Sequence, residues 1–369
     1  MNIKNIKIHR ILNEDWLAIE NLKRRYKLFS DEPVLQIQTF SSNPFFEKEE
    51  NQIFGWVVKD GKKVVGVLCF VPTISVHNNI SLRTAIASSF VVDINYRSIS
   101  LTLFSKFVNL KGYDLYLDTT ASPPVDTFLK LFKFKTLPGN AYKKVLFYVC
   151  DFNKFFISFL KKKKISSGMI VVFKSLLFIP LKLLNIIDKK PSSKNSKNVF
   201  EVNHSSIGKE FDLLWDIKMK EENNIIFSSR NSSFLKWHLS KANKKGLIKV
   251  FGYYSDNILQ GYIVIMKEEI NRLSLIKFKI VDIFVKMDQK HIIDALINHS
   301  FKYAKQNGGV VFEMVGHSKK IRKLFKKRPH FSRYFPSMPY HYKIAKNNTL
   351  DLSSYSNWYP TLFDGDSIL

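Results

Sequence analysis

Hydrophobic and polar positions change their period along residues 88–137. An apolar run typical of a β-strand ends in a polar turn over residues 94–98, and apolar residues then recur at helical spacing over residues 101–110. A second strand over residues 113–117 precedes a helix over residues 124–132, which starts at a proline. Strand, turn, helix, strand and helix in this order predict a βαβα unit. A polar turn leading into a helix can bind an anion, because the first helical N–H groups have no partner within the helix.

Residues 1–150 as a whole predict the order β-α-β-β-β-α-β-α-β. The strongest signal is a hairpin whose two apolar strands flank Asp60-Gly61, a pair that favours a tight turn. Residues 30–50 contain two prolines and are predicted to form a long polar loop. The last strand of this half is predicted over residues 143–150.

Residues 199–346 repeat the same order loosely. The turn of this second half, over residues 286–290, contains an aspartate and is poorly suited to a pyrophosphate. We therefore predict an α/β (α+β) fold with two mixed-sheet halves, residues 1–150 and residues 199–346, followed by a tail over residues 347–369.

The segment between the halves, residues 151–198, is basic and amphipathic. Its apolar block over residues 165–187 is long enough to cross a bilayer, but two lysines and Pro180 lie inside it. We predict one or two broken amphipathic helices on an anionic membrane surface, followed by a linker over residues 191–198. The alternative is a helical pair that packs at the junction of the halves.

Composition narrows the class of protein. Hydrophobic residues make up 45% of the 369 residues, as in a globular protein, and the formal net charge is +27. Such a charge favours polyanionic neighbours: an anionic membrane, nucleic acid or phosphorylated substrates.

The two cysteines, Cys69 and Cys150, lie in apolar runs and are predicted to be buried thiols. The histidines do not have the spacing of metal ligands. The N-terminus has no apolar leader, which predicts a cytoplasmic protein.

The first half resembles the GNAT superfamily of acyl-CoA-dependent N-acyltransferases. The segment VDINYRSISLTLFSKF stands where that family has its acyl-CoA signature. The resemblance implies acetyl-CoA or another acyl-CoA as donor, with a backbone N–H of Val92 or Asp93 on the thioester carbonyl. It also implies a site for the CoA pyrophosphate, formed by Arg97, Ser98, Ile99, Ser100, Leu101 and Thr102.

The same segment departs from the family pattern. Glycines of the signature are replaced by Ser98, Ser100 and Thr102. Leu129 stands where the family usually has a catalytic tyrosine, and no glutamate lies on the strand over residues 85–92. These departures direct the search for catalytic groups to the second half and the tail.

Two further elements resemble tandem GNAT-like proteins of bacterial surface-polysaccharide gene clusters. They are SSRNSSFLKWHLS, residues 228–240, and the C-terminal SNWYPTLFDGDSIL. The candidate catalytic residues are Asp364, Asp366 and His238, and the candidate substrate-binding residues are Arg230, Trp237, Trp358 and Tyr359.

Each of these candidates has a structural alternative. Carboxylates beside aromatic rings can have a raised pKa, but the acidic tail could equally be solvated. Arg230 could bind a phosphate or pair with a buried acid. His238 could titrate near neutrality or pack within an amphipathic helix.

These observations lead to one function and two alternatives. The leading prediction is transfer of an acyl group from acyl-CoA to the amine of a nucleotide- or lipid-linked sugar, during capsule or O-antigen synthesis, near the membrane. The first alternative is a Fem-type transferase that uses aminoacyl-tRNA, in which the positive charge would bind the tRNA. The second is a binding or scaffold protein without catalysis.

Overall fold

The computed structural model describes residues 6–28, 32–46, 53–121, 123–139, 141–166, 168–171, 197–328, 330–335, 340–345, 350–366 and 368–369. Most of the apolar block over residues 165–187, and most of the linker over residues 191–198, therefore lie outside the described residues. Within them, no helix has the length and apolar character that crossing a membrane requires.

Both halves contain strands and helices. The strands are β1 Ile6–Arg10, β2 Gly55–Asp60, β3 Lys63–His77, β4 Ile80–Val92, β5 Leu115–Asp118, β6 Lys135–Thr136, β7 Lys144–Val149, β8 Val199–Val202, β9 Phe227–Ser228, β10 Ile248–Ser255, β11 Ile258–Ile270, β12 Leu275–Val285, β13 Val311–Met314, β14 Phe331–Tyr334 and β15 His341–Ile344. The helices are α1 Trp16–Arg25, α2 Pro33–Ser41, α3 Ser100–Val108, α4 Pro123–Leu131, α5 Phe152–Lys162, α6 Lys209–Glu221, α7 Ser232–Lys244, α8 Lys290–Gln306 and α9 Lys319–Phe325.

The strands form two mixed sheets. The first has the order β1-β2-β3-β4-β5-β15-β6, with β9 paired to β3, and the second has the order β14-β7-β13-β12-β11-β10-β8. The parallel pairs are β4 with β5 and β12 with β13, one in each sheet. The prediction of an α/β fold with two mixed-sheet halves is confirmed.

The two halves exchange a strand. β7 comes from the first half but lies between β14 and β13 in the second sheet, where Leu146 pairs with Met314. β15 comes from the second half and lies between β5 and β6 in the first sheet, where Tyr342 pairs with Leu117. The strand predicted to close the first half therefore lies in the other sheet, and separating the halves would break backbone pairing in both.

Helix α2 corrects the prediction of a long polar loop. It begins with Pro33 in its first turn, where the absent N–H of proline is not needed, and it ends at Ser41. Thr39 and Phe40 of this helix are buried. The prolines mark its start and the turn that follows it, so they do not exclude a helix between them.

Each face of the first sheet packs against a separate apolar cluster. On β3, Val67 and Cys69 point into the larger cluster, which combines residues of both halves. Leu68 and Phe70 point to the opposite face, where α3 and α4 cover them. Cys69 and Cys150 are both buried thiols, as predicted.

Candidate active site at the gap between two parallel strands

Strands β4 and β5 run side by side over only three residue pairs. The last of these pairs joins Ile86 to Leu117. β5 ends one residue later, at Asp118, whereas β4 continues to Val92. Beyond Ile86 the backbone of β4 is therefore not paired with β5, and a gap opens between the two strands.

A β-bulge lies at the start of this gap. Val67 and Cys69 lie two positions apart on β3, but their partners on β4, Val91 and Ser88, lie three positions apart. β4 therefore contains one extra residue here. Ser89 takes a positive φ of 52°, in the left-handed region that side chains other than glycine rarely adopt. The extra residue twists the end of β4, as bulges do beside many active sites.

A cavity of about 840 Å³ occupies the gap. Ala87 and Ala121 in its wall belong to the cluster that α3 and α4 cover. Phe40 and Ala242 belong to the cluster between the halves, on the opposite face. The cavity thus passes through the sheet, so two molecules could approach the same point from opposite faces.

Asp118 lies in this cavity at the end of β5. Only 5% of the residue is exposed. Burial, together with the negative charge of Asp366, raises the pKa of its carboxyl to about 7, although the N–H groups of Thr120 and Ala121 oppose the shift. A carboxyl with this pKa can accept and release a proton at neutral pH, as a general base must.

Asp366 brings the C-terminal tail into the same cavity. Its Oδ1 accepts a hydrogen bond from the hydroxyl of Thr120 at 2.9 Å. Burial raises the pKa of Asp366, and hydrogen bonds from Thr120 and Ser88 oppose this shift. Of the two predicted tail acids, Asp366 is the one that lines the cavity.

Two solved structures of other proteins have a similar fold. A probable N-acyltransferase of unknown function from Enterococcus faecalis V583 superposes with a TM-score of 0.57 over 92% of this chain and 73% of its own, at 11% identity. A GCN5-related N-acetyltransferase from Anabaena variabilis ATCC 29413 superposes with a TM-score of 0.55 over 93% of this chain and 73% of its own, at 9% identity. The fold is that of the GCN5-related N-acetyltransferases. No protein-family model and no curated protein matches the chain.

The turn that stands in place of the GNAT signature is a 3₁₀ helix over Ile94–Ile99, which continues into α3 at Ser100. The N–H of Tyr96 donates to the carbonyl of Asp93 at 2.8 Å, and the N–H of Ser100 donates to the carbonyl of Arg97. These two N–H groups are not open to a pyrophosphate. Side chains of the predicted CoA site face solvent at Arg97, Ser98, Leu101 and Thr102, and Ile99 and Ser100 are half-buried.

Asp93 has structural contacts that correct one prediction. Its N–H donates to the carbonyl of Val65 at 2.7 Å and is not available to a thioester. Its carboxylate caps the 3₁₀ helix at Asn95 and lies 3.5 Å from the guanidinium of Arg25. Val92 pairs with Gly66 in the sheet, so the unpaired part of the strand is the bulge before it.

Arg230 is enclosed within the protein, with no exposed surface. Its Nε and Nη2 donate to the carboxylate of Asp282 at 2.8 and 3.2 Å, and Nη2 also donates to Asp364 at 3.1 Å. Burial opposes its charge, but the two carboxylates outweigh burial and keep the pKa of the guanidinium above its usual value. These contacts match the alternative in which Arg230 pairs with buried acids.

Asp364 belongs to the same hydrogen-bond network as Arg230. Its Oδ2 accepts the N–H of Thr361 at 2.7 Å, while Oδ1 accepts from Arg230. Burial raises the pKa of this carboxyl, and the charge of Arg230 opposes that shift. Asp364 is absent from the wall of the 840 Å³ cavity and holds the tail in place.

His238 is fully buried among aromatic rings. The ring centroids of Phe363 and Phe234 lie 4.5 and 5.3 Å from its own. Burial and the charge of Arg230 lower the pKa of the imidazole to about 3. A histidine with this pKa stays neutral and does not titrate near neutrality.

The three aromatic candidates are buried and donate to backbone carbonyl groups of the protein. Trp237 Nε1 donates to the carbonyl of Thr39 at 2.6 Å, which joins α7 to α2 across the halves. Trp358 Nε1 donates to Leu352 at 2.9 Å, and the Tyr359 hydroxyl donates to Ile283. None of these three aromatic residues lines the cavity.

Asp118 was missed from the sequence, although a signal for it exists. It directly follows the predicted strand over residues 113–117 and precedes the proline-started helix. Polar residues at the carboxyl end of a strand in a parallel pair commonly lie at ligand sites. Its raised pKa depends on Asp366, which is 248 residues away in the chain, and sequence periodicity cannot show that contact.

Proposed function

We propose that this protein transfers an acyl group from acyl-CoA to an amine, with Asp118 as the general base. The observation that carries the proposal is a carboxyl with a pKa of about 7 in a cavity that passes between β4 and β5. The fold supports it, because other proteins with this fold are described as N-acyltransferases.

The chemistry is a direct transfer. The carboxylate of Asp118 takes a proton from the acceptor ammonium, and the neutral amine attacks the thioester carbonyl. The C–S bond then breaks, the amide C–N bond remains, and the CoA thiolate takes up the second proton that the attacking nitrogen loses as the amide forms. The backbone of Ser89 and Phe90 at the bulge lies beside the gap and is the candidate donor to the carbonyl oxygen.

The donor phosphates are assigned to the start of α3. Arg97, Ser98 and Thr102 offer a guanidinium and two hydroxyl groups at this surface. Because the turn has no glycine, side-chain donors would replace the backbone cradle of the family signature. Acetyl-CoA or a longer acyl-CoA fits this assignment equally well.

The acceptor side carries charges of both signs. In the cavity wall, Lys279 Nζ lies 3.0 Å from Glu268, and Lys267 Nζ lies 2.5 Å from Glu269. Lys23 also lines it. A wall of this kind suits a polar acceptor with an anionic group, and we propose an amino sugar linked to a nucleotide or lipid phosphate. The polysaccharide assignment rests on the two sequence elements that resemble proteins of such gene clusters.

The test uses the purified full-length chain, acetyl-CoA and longer acyl-CoA donors, and a panel of amines that includes nucleotide-linked amino sugars. Release of the CoA thiol reports turnover. We expect Asp118→Asn to lower kcat by roughly 10²–10⁴-fold while the stabilisation of the protein by CoA persists. Asp294→Asn, at an acid on α8 that pairs with Lys327, is the matched control and should retain full activity.

A second variant tests the donor site. Arg97→Glu should remove the increase in melting temperature that acyl-CoA produces. If no acyl-CoA stabilises the wild-type chain and tRNA binds tightly with strong salt dependence, the Fem-type alternative replaces this proposal. If neither ligand binds, the scaffold alternative replaces it.

A further inference from the structure

The second half contains a counterpart of the gap between β4 and β5. Strands β12 and β13 run parallel up to the pair that joins Ile280 to Met314. β13 ends there, whereas β12 continues to Val285. A β-bulge again lies beside the gap, because the neighbours Val264 and Ile265 of β11 pair with residues of β12 that are two positions apart. The fold therefore forms the same opening twice.

The C-terminal tail occupies this second gap. Residues 358–365 are buried. The hydroxyl of Tyr359 donates to the carbonyl of Ile283, on the part of β12 that lies beyond its pairing with β13. The N–H of His317, just after β13, donates to the carbonyl of Pro360 at 2.5 Å. Backbone groups at both edges of the gap are thus hydrogen-bonded to the tail.

The tail packs most closely against Gly316. This residue has a φ of 70°, and a Cβ here would lie 2.2 Å from the carbonyl oxygen of Pro360. Only glycine combines this backbone conformation with so close an approach. Further along the tail, Nη2 of Arg230 donates to the hydroxyl of Thr361 at 3.1 Å. The tail therefore lies within the gap and does not merely cover it.

The residue that follows the last parallel pair differs between the two gaps. In the first half, Asp118 follows Leu117 at this position. In the second half, Val315 follows Met314, and its side chain is buried. A valine cannot accept a proton. The second gap therefore lacks the group that we assign as general base in the first.

The turn that leads from β12 into α8 already holds carboxylates of the protein. The N–H of Met287 donates to Oε2 of Glu221 at 2.9 Å. Asp288 is buried, and its Oδ1 lies 2.7 Å from Nζ of Lys218. A phosphate at this turn would meet negative charge and would have to displace Glu221. The corresponding turn of the first half instead presents Arg97 to solvent.

We infer that the tail fills the donor position of the second half, so that the chain binds one acyl-CoA, in the first half alone. From the second gap the tail continues to the first, where Gly365 packs on Thr119 and Asp366 accepts from Thr120. One segment thus closes one gap and supplies a carboxylate to the other. The count of one donor rests on the proposed function, whereas the closure of the second gap rests on the contacts of the tail.

Calorimetric titration of the full-length chain with CoA counts the donor sites. We expect one CoA per chain. Arg97→Glu should weaken binding about ten-fold or more, because it reverses the charge at the donor turn. Lys290→Glu makes the same change in net charge at the exposed first residue of α8, the matching position in the second half, and should leave the affinity unchanged. Two CoA molecules per chain, or equal losses in the two variants, would overturn the inference.

Hydrogen exchange compares the two gaps within one molecule. CoA should slow the exchange of amides over residues 88–92, at the first gap, and leave residues 281–285, at the second gap, unchanged. Without ligand, amides over residues 358–364 should exchange roughly 10³-fold or more slowly than in an unstructured chain, because they are packed in the core. CoA-dependent protection of residues 281–285, or a tail that exchanges like an unstructured chain, would show that the second gap is open.

Two glycine variants test the contact between the tail and the end of β13. Gly316→Ala places a Cβ against Pro360. Gly308→Ala places one at a similar φ of 77°, where the nearest atom is 3.9 Å away. The backbone strain is alike in the two variants, so exchange over residues 358–364 should be about ten-fold faster in Gly316→Ala than in Gly308→Ala. Equal exchange would contradict the packing of the tail in the gap.

The inference and the proposed function can fail separately. If CoA binds two sites, acyl transfer at Asp118 can stand while the inference fails. If CoA binds nowhere, the donor assignment fails together with the count of one donor, and the exchange of the tail amides still decides whether the second gap is closed. Asp118→Asn should abolish turnover but leave one CoA bound per chain.

Discussion

Asp364 of the tail accepts a hydrogen bond from Arg230 at 3.1 Å, across 134 residues of sequence, and both residues are buried. The same guanidinium contacts Asp282 of β12 through two nitrogen atoms. One buried cation thus fixes the tail to the second sheet, and this determines where Asp366, two residues further on, enters the cavity.

The first prediction concerns this network. Replacing Arg230 by Met should lower the free energy of unfolding by about 3–5 kcal/mol, because two buried carboxylates lose their partner. Lys249→Met removes an exposed ion pair with Glu201 and should cost less than about 1 kcal/mol. Urea unfolding of the three proteins measures both effects. A stable Arg230→Met protein with only a raised KM would instead indicate substrate contact.

Gly365 holds the tail close to Thr119. A Cβ at Gly365 would lie 1.8 Å from the hydroxyl oxygen of Thr119. We expect Gly365→Ala to destabilise the protein by about 1–3 kcal/mol and to reduce activity by displacing Asp366. Gly208→Ala, where the nearest atom is 3.7 Å away, should be nearly neutral. Thr119→Ala should partly rescue Gly365→Ala, and no rescue would argue against this contact.

The buried His238 makes stability sensitive to acid. Its folded-state pKa of about 3 is below the ordinary value of 6.5, so the unfolded chain binds a proton first as the pH falls. The contribution of neutral His238 to the stability of the fold is therefore complete above pH 6.5 and is lost as the pH falls towards 3. His238→Phe keeps an aromatic ring and should reduce the loss of stability between pH 7 and 4.5 by about 2 kcal/mol. Thermal unfolding across this range measures the slope. Turnover at pH 7.5 should persist, and its loss would support a catalytic role.

Ionisation of Asp118 makes the stability of the fold depend on pH in the opposite direction. Its folded-state pKa of about 7 exceeds the ordinary value of 3.8, so the folded protein is favoured below pH 4 and loses stability as the pH rises through 7. Asp118→Asn removes the ionisable carboxyl and with it this pH dependence. We expect the variant to be more stable than the wild type by roughly 1–4 kcal/mol at pH 8 and to lack the decline between pH 4 and 7. Parallel stability curves for the two proteins would contradict the raised pKa.

Asp366 should control the pH dependence of the rate. Its negative charge contributes to the raised pKa of Asp118, so Asp366→Asn should move the acidic limb of kcat/KM to lower pH. Turnover from pH 5.5 to 9 gives the profile. An acidic limb that remains near pH 7 in Asp366→Asn would show that burial alone raises the pKa of the base.

Local elements could be predicted because local sequence specifies them. The hairpin at Gly61, whose φ is 59°, and the start of α3 at Ser100 follow from turn residues and hydrophobic period within a few positions. The missed helix α2 shows the limit of this reasoning. Pro33 suits both a loop and the first turn of a helix, and the packing of Thr39 and Phe40 against neighbours decides between them.

By itself, the sequence determined the two mixed-sheet halves and most of their strands and helices, with α2 missed, because periodicity and turn chemistry act over a few neighbouring residues. Only the tertiary structure decided the exchange of β7 and β15, which depends on pairing between strands about 200 residues apart. It also decided the roles of the acids: Arg230 neutralises Asp364, whereas burial beside Asp366 raises the pKa of Asp118. A pKa is set by surrounding charges and solvent exposure, and those neighbours meet only in the folded chain.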